Sequence, residues 1–333
     1  MKGIIKVNIE KPLLSICIPT YNRSNYLIQT IKSIVESDGF NINDVEIVIS
    51  DNCSTDNTSE IIKEWTNKFS NIKYFRKSKP TIIPDINFID VLSLGTGEYL
   101  KLNSDIAGFK PETLKIILKK IKENITEKTP IFFQTLIHNQ ISKNITKLFK
   151  LNDSLKEFYF DNINDFINTV STASTWIVNF GCWKKHFEEI ENKDRFLHNQ
   201  FMQVDWTLSI LNTHKKAKVY IKNFYNPFKI KKEGSVDVLD VHGKKFLQIY
   251  EYYLNKKIIS KKIYEKERRK VLMKVLIPML ALNLTSKKHF FKINNLFEFL
   301  KDYKTKVYMY FSILIELPIC VIFLSLKKII KFL

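Results

Sequence analysis

Leu14-Ser15-Ile16-Cys17-Ile18-Pro19-Thr20-Tyr21-Asn22-Arg23 is the stretch on which the fold turns. The apolar run from Leu13 to Ile18 predicts a buried strand that stops at Pro19, where the backbone loses its donor. Ser24 reads as a helix N-cap, and beyond it Leu27, Ile31, Ile34 and Val35 recur at helical spacing, which lays one helix face on a sheet. The unit then repeats in kind. Val45 to Ile49 reads as a second buried strand, Asp51 to Asp56 as a polar turn, and Ile61, Ile62, Trp65 and Phe69 as one side of a second helix. Strands at Ile72–Phe75 and Tyr99–Leu102 enclose a helical stretch around Phe88 to Leu94. Pro111 opens a helix striped by Leu114, Ile117, Leu118 and Ile121. Such alternation predicts an α/β fold with a mainly parallel sheet and right-handed crossovers.

In a sheet of this kind ligands bind beyond the carboxyl ends of the strands. Three polar tips are therefore expected to line one crevice: Thr20-Tyr21-Asn22-Arg23, Asp51-Asn52 and Asn103-Ser104-Asp105. Past Ile131 the pattern loosens, with a strand expected at Trp176-Ile177-Val178, a helix from Phe201 to Leu211 and a strand at Val219-Tyr220-Ile221. From about Val241 the chain reads as helices with Phe246, Tyr250, Tyr253 and Tyr264 among basic residues.

Hydrophobic content of 45% beside 26% charged residues excludes wholesale disorder. The net charge of +19 calls for an anionic partner: a nucleotide diphosphate, nucleic acid or an acidic membrane face. A Lys/Asn/Ile-rich background is the plainer source of part of that excess. No nucleic-acid-binding module is visible, so charge alone supports only nonspecific attraction, and no nucleic-acid partner is expected. Cys17, Cys53, Cys182 and Cys320 are scattered, which suggests neither a zinc site nor a disulfide framework and fits a reducing cytoplasm. The N-terminus lacks the apolar stretch of a signal peptide, so export is not expected.

Leu14 to Arg23, followed by Val48-Ile49-Ser50-Asp51-Asn52-Cys53-Ser54-Thr55-Asp56-Asn57-Thr58 and then by Gly97-Glu98-Tyr99-Leu100-Lys101-Leu102-Asn103-Ser104-Asp105, resembles the start of a family 2 glycosyltransferase with the GT-A fold. The resemblance runs from Leu13 to about Ile121 and is faint beyond. It implies that Pro19, Thr20, Tyr21, Asn22 and Arg23 border the nucleotide, with Thr20 and Tyr21 holding the base, and that Asp51 accepts a hydrogen bond from that base. Asn52, Asn103 and Ser104 belong to the same donor site by this likeness. Asp105 would ligate a divalent cation, Mg²⁺ or Mn²⁺, that bridges the donor diphosphate and stabilises the leaving group. The family's D-x-D begins here with Asn103, whose amide oxygen is a poorer ligand than a carboxylate. Pro84-Asp85-Ile86-Asn87-Phe88 resembles the segment before D-x-D in abequosyltransferase-like members, which makes Asp85 a donor contact or a helix cap.

An inverting transfer needs a base for the acceptor hydroxyl, and the family uses a carboxylate downstream of D-x-D. Asp205 in Phe201-Met202-Gln203-Val204-Asp205-Trp206 is that candidate, its other reading being a partner of the helix dipole; Asp194 and Glu188 are rivals. Trp206 reads either as a sugar platform or as core. Arg23, Arg76, Lys77 and Lys79 have the sign to meet a diphosphate, and the last three read first as a solvated face. Of His138, His186, His198, His214, His242 and His289, none has a zinc-type partner at helical spacing; His242 either reaches the metal or packs.

Val307 to Leu326 is long enough for a span, but Glu316 and Pro318 interrupt it and Lys327, Lys328 and Lys331 follow. It reads as a helix-break-helix lying on an anionic bilayer, or as part of a packed helical region. The expected organisation is a GT-A domain over residues 1–235 (donor half about 10–125, acceptor half about 126–235) and a helical C-terminal region over 236–333 with a membrane-associating tail. The expected activity is transfer of one sugar from a nucleotide-sugar donor to a glycan or glycolipid acceptor, at the cytoplasmic face of the membrane, in lipopolysaccharide, lipooligosaccharide or capsule synthesis. The alternative is a catalytically weak nucleotide-sugar-binding or scaffold protein.

Overall fold

The computed structural model describes residues 11–135, 154–228, 237, 239–285, 310 and 312–330. The first strand, β1 (Leu14–Thr20), is followed by α1 (Ser24–Val35), β2 (Val45–Asp51), α2 (Thr58–Lys68), β3 (Ile72–Arg76), α3 (Pro84–Leu94), β4 (Tyr99–Leu102), β5 (Ala107–Phe109) and α4 (Thr113–Asn124). The main sheet has the order β3-β2-β1-β4 with all pairs parallel, and its far edge is closed by the antiparallel β8 (Gly181–Trp183). The mainly parallel α/β reading therefore holds. Each crossover helix returns the chain to the same end of the sheet, so Thr20, Asp51 and Asn103 all stand at one edge.

Two cores lie on the two sheet faces, as alternation along a strand requires. Leu14, Ile16 and Ile18 with Ile47 and Ile49 face Leu27, Ile31, Ile34, Leu114 and Ile117. Cys17, Val48, Leu100 and Leu102 face the other way, toward Val91 and Leu92 of α3. That second core is continuous with α7 (Met202–His214), α8 (Phe246–Asn255) and α9 (Lys261–Val271), through Trp206, Tyr250, Tyr253 and Val271. A smaller sheet joins β6 (Ile131–Gln134), β9 (Ala217–Ile221) and β7 (Lys156–Phe160), and β10 (Tyr225–Pro227) pairs antiparallel with β5. The remaining helices are α5 (Ile163–Val170), α6 (Lys184–Glu188), α10 (Ile277–Thr285) and α11 (Leu317–Ile330).

Two local expectations are corrected, at Trp176-Ile177-Val178 and Ser24, and one alternative, at Trp206, is decided. Trp176-Ile177-Val178 is no strand: a 3-10 turn occupies Ile177–Asn179, and the strand forms only at Gly181–Trp183, where Tyr99, Leu100 and Lys101 offer an open edge. Ser24 is the first residue of α1 rather than its cap. The free backbone N–H of Ser24 goes instead to Asp56 Oδ2 of the neighbouring tip, at 3.1 Å, and its hydroxyl donates to Asn57 Oδ1. Trp206 is fully buried, edge-on to Phe180 and Phe187 with its indole N–H donated to the Lys193 carbonyl, so it is core and not a sugar platform.

The C-terminal tail is helical without interruption over residues 312–330, so the expected break at Glu316 and Pro318 is not seen. A π-helical turn at Ser312–Glu316 runs directly into α11, and Pro318 falls in the first turn of that α-helix. Ile313, Leu317 and Cys320 pack on the core shared with α8 and α9, whereas Leu314, Ile319 and Ile322 are exposed. No helix among the described residues is long and apolar enough to cross a membrane. Val307 to Met309, Phe311 and Lys331 lie outside the described residues, as do His138 and His289.

Candidate active site

Thr20 ends β1 and joins the three tips. In register it stands opposite Asp51, its carbonyl accepts from the Asn52 N–H at 3.0 Å, and its hydroxyl donates to Asp105 Oδ2 at 3.0 Å. Arg23 Nη1 donates to the other oxygen, Asp105 Oδ1, at 3.1 Å. Asn22 adopts the left-handed conformation that Asn tolerates, and its side-chain oxygen accepts from the Thr55 N–H. Tyr21, beside it, is 47% exposed and presents its ring to solvent at the crevice rim. The chain thus brings Pro19 to Arg23, Asp51, Asn52 and Asn103 to Asp105 to one edge.

The two acids in this cluster sit in different surroundings. Asp51 is fully buried and held on both oxygens: Oδ1 accepts from the Ser54 N–H and hydroxyl, Oδ2 from Tyr74 at 2.6 Å, with Arg76 at 3.7 Å. Burial and then Asp51 push the Tyr74 phenol up to about 12, so it remains a donor. Asp105 is 3% exposed, and burial raises its pKa even though Arg23 and Thr20 oppose the shift. Asn103 donates its amide N–H groups to the Ser104 and Ala107 carbonyls, while its Oδ1 is buried without a partner. Asn103 Oδ1 is a buried orphan oxygen two residues from the Asp105 carboxylate, and both are oxygen donors of the kind a hard cation takes.

Asp85 lies in the first turn of α3 at the same edge, where Asn52 anchors the preceding loop through Thr81. It is 1% exposed; Oδ2 accepts from the Gln200 N–H and Oδ1 is without a partner. Burial raises its pKa against the opposing pull of Gln200 and His198.

Asp205 belongs to a second cluster. It sits in the first turn of α7, 1% exposed, with Oδ1 accepting from Arg195 Nη1 at 3.1 Å and from the Tyr253 hydroxyl at 2.8 Å. Burial raises its pKa beyond what Tyr253 and Arg195 lower. Neither Arg195 nor Tyr253 is a sequence candidate for this site: Arg195 lies in the loop before α7, and Tyr253 reaches Asp205 only through the packing of α8 on α7. Of the rivals, Glu188 is exposed on α6 and Asp194 is exposed in the loop before α7. Arg76 is committed to Asp51 and the Ser54 carbonyl, and Lys77 pairs with Asp90. His242 packs on the Phe201 ring, and burial lowers its pKa to about 4.

Residues 15–170 match the family model for glycosyl transferase family 2. The abequosyltransferase RfbV of Salmonella typhimurium is 45% identical over 87 residues, covering 26% of this chain and 26% of that protein. The match to this relative therefore spans about a quarter of its length. A Campylobacter jejuni GalNAc(5)-diNAcBac-PP-undecaprenol beta-1,3-glucosyltransferase is 27% identical over 225 residues, 68% of this chain and 67% of the relative. Among solved structures, Staphylococcus aureus TarS 1–349 in complex with UDP-GlcNAc superposes with a TM-score of 0.52 at 18% identity, covering 79% of this chain and 71% of that one. The GT-A fold is thereby shown.

Proposed function

We propose, since residues 15–170 match the glycosyl transferase family 2 model, that this chain is a family 2 glycosyltransferase and moves one sugar from a nucleotide-sugar donor to a hydroxyl of a lipid-linked or surface-glycan acceptor, with inversion at the anomeric carbon. The observation that carries the reading is Thr20, which links the tips of β1 and β2 to Asp105 in a single buried cluster. Tyr21 offers an exposed ring to the nucleotide base, and Asp51, oriented by Ser54 and Tyr74, has lone pairs left to accept from it. Asn52, Ser104 and Asp85 complete the rim of the donor site.

Asp105, with Asn103 Oδ1, would hold a Mg²⁺ or Mn²⁺ ion, which when bound neutralises charge on the leaving diphosphate. Arg23, already against Asp105, adds a second positive charge at the same place. Asp205 takes the acceptor proton in this reading, its pKa raised by burial toward the working range of a general base. The relatives, an abequosyltransferase and a GalNAc(5)-diNAcBac-PP-undecaprenol glucosyltransferase, favour a glycan on a lipid carrier, in lipopolysaccharide, lipooligosaccharide or capsule synthesis. The exposed apolar face of Leu314, Ile319 and Ile322 would rest on the anionic inner face of the cell membrane beside that acceptor.

A second reading is a catalytically weak nucleotide-sugar-binding protein, favoured by Asn103 and by the ion pair that engages Asp205. Purified protein, Mn²⁺ and a panel of nucleotide-sugars separate the two. Donor hydrolysis or transfer that falls about 100-fold in Asp105→Ala, the loss expected when several kcal/mol of charge stabilisation is removed, supports the enzyme. Tight nucleotide binding with no turnover in the parent protein supports the second reading.

A further inference from the structure

The sheet edge remote from the donor crevice carries a cluster that the transfer reaction does not use. Because β8 runs antiparallel to β4, Trp183 pairs with Tyr99 at the start of β4, and α6 leaves the sheet at the end opposite Thr20, Asp51 and Asp105. His186 lies on α6 and Glu189 follows three residues later, at its C-terminal boundary; α7 ends at His214. Ligand atoms of these three side chains all lie within 4.8 Å of one another, and no other group of three His, Cys, Asp or Glu among the described residues does so.

Three further observations point the cluster at a ligand. His214 Nε2 is 3.0 Å from Glu189 Oε2, and the imidazoles of His186 and His214 lie 3.8 Å apart between centroids. His186 is 4% exposed, and its Nδ1 is buried with no hydrogen-bond partner, a state that is unfavourable unless something satisfies it. Beside the three lies a cavity of about 330 Å³, which supplies space for a water.

We propose that His186, Glu189 and His214 form a divalent transition-metal site of the zinc class, with its fourth position open to that cavity. Two imidazoles and one carboxylate are the ligand set that zinc takes, whereas Mg²⁺ and Ca²⁺ prefer oxygen alone. Zinc bonds of about 2.0–2.1 Å to each ligand in a tetrahedron require the donor atoms to stand roughly 3.3 Å apart. The His214–Glu189 pair already meets that spacing, and His186 has only to close the remainder. The ion ties the end of α6 to the end of α7, two elements that otherwise meet through Phe187 and Trp206.

Calorimetric titration of the full, chelator-treated chain with ZnCl₂ tests this, with MgCl₂ as the control ion. One tight equivalent of zinc is expected, and that tight equivalent is weakened at least about tenfold in both His214→Ala and Glu189→Gln and kept in Asp105→Asn, which removes only weaker cation binding at the donor crevice. Because side-chain exposure at His214 and Glu189 is 26% and 36%, both variants keep the core intact. Cobalt(II) in place of zinc should give the visible absorption of a tetrahedral site, and lose it in His214→Ala. The proposal is overturned if the parent chain binds no zinc, or if binding depends on Asp105 and is indifferent to His214.

Discussion

Thr20 shows how one small side chain organises the crevice: its backbone holds Asn52, its register sets Asp51 opposite, and its hydroxyl holds Asp105. The acids around it differ in what they can do. All three of Asp105, Asp85 and Asp205 are buried carboxyls whose pKa values are raised mainly by desolvation, but Asp105 is ion-paired to Arg23 and Asp205 to Arg195, whereas Asp85 has no ion pair among the described residues. A general base works only when ionised, so a raised pKa moves the acid limb of the pH profile of kcat/KM upward, above the ordinary carboxylate range. Activity should therefore climb with pH through that limb. If Asp205 is the base, Asp205→Asn lowers kcat by about 10²–10⁴-fold and erases the limb, while Asp85→Asn keeps it and changes chiefly KM for the donor. The reverse pattern, measured over the same pH range, transfers the role to Asp85, whose free Oδ1 makes it the available alternative.

At the scale of elements, the sheet is fastened at the end away from the crevice by a buried polar network. Glu46 on β2 accepts from Ser15 of β1, Lys73 of β3 and the Thr96 N–H just before β4. Burial works against its ionisation, but the hydrogen bonds from Lys73, Ser15 and Thr96 outweigh it and lower its pKa. Gly97 completes the join, its N–H donated to Ser15 Oγ at 2.7 Å. A Cβ at Gly97 would stand 2.8 Å from the Ser15 nitrogen and 2.9 Å from the Leu14 carbonyl carbon, both backbone atoms that cannot swing aside. Gly97→Ala should thus cost about 1–3 kcal/mol, read as a lower urea midpoint with an unchanged slope. Normal stability in that variant would mean that β1 and the segment before β4 are not seated this closely.

At the scale of the whole molecule, a mainly parallel sheet joins C-terminal helices through a buried core, and Leu314, Ile319 and Ile322 of the tail are left exposed. These three, with the lysines beyond, are the features of an interfacial helix. Co-sedimentation with phosphatidylglycerol-containing vesicles should exceed that with neutral ones. Replacing the three by Glu should cut binding more than tenfold, since each buried aliphatic side chain contributes about 1.5–3 kcal/mol. Equal binding by parent and variant would assign this face to some other neighbour.

By itself the sequence determined the alternation of strand and helix, the strand ends, and hence the meeting of Thr20, Asp51 and Asp105. These follow from local periodicity and from a rule about where parallel strands end, both of which need only neighbouring residues. Tertiary structure alone decided the rest. Asp205 meets Tyr253 across 48 residues, Asp85 meets Gln200 across 115, and His186 meets His214 although no helical spacing relates them. Trp183 and its short strand likewise depend on an open edge offered by β4, which is a property of the assembled sheet. The physical reason is common to all: side chains brought together by helix-on-helix and edge-strand packing carry no periodic signature, because the contact is fixed by burial of other residues.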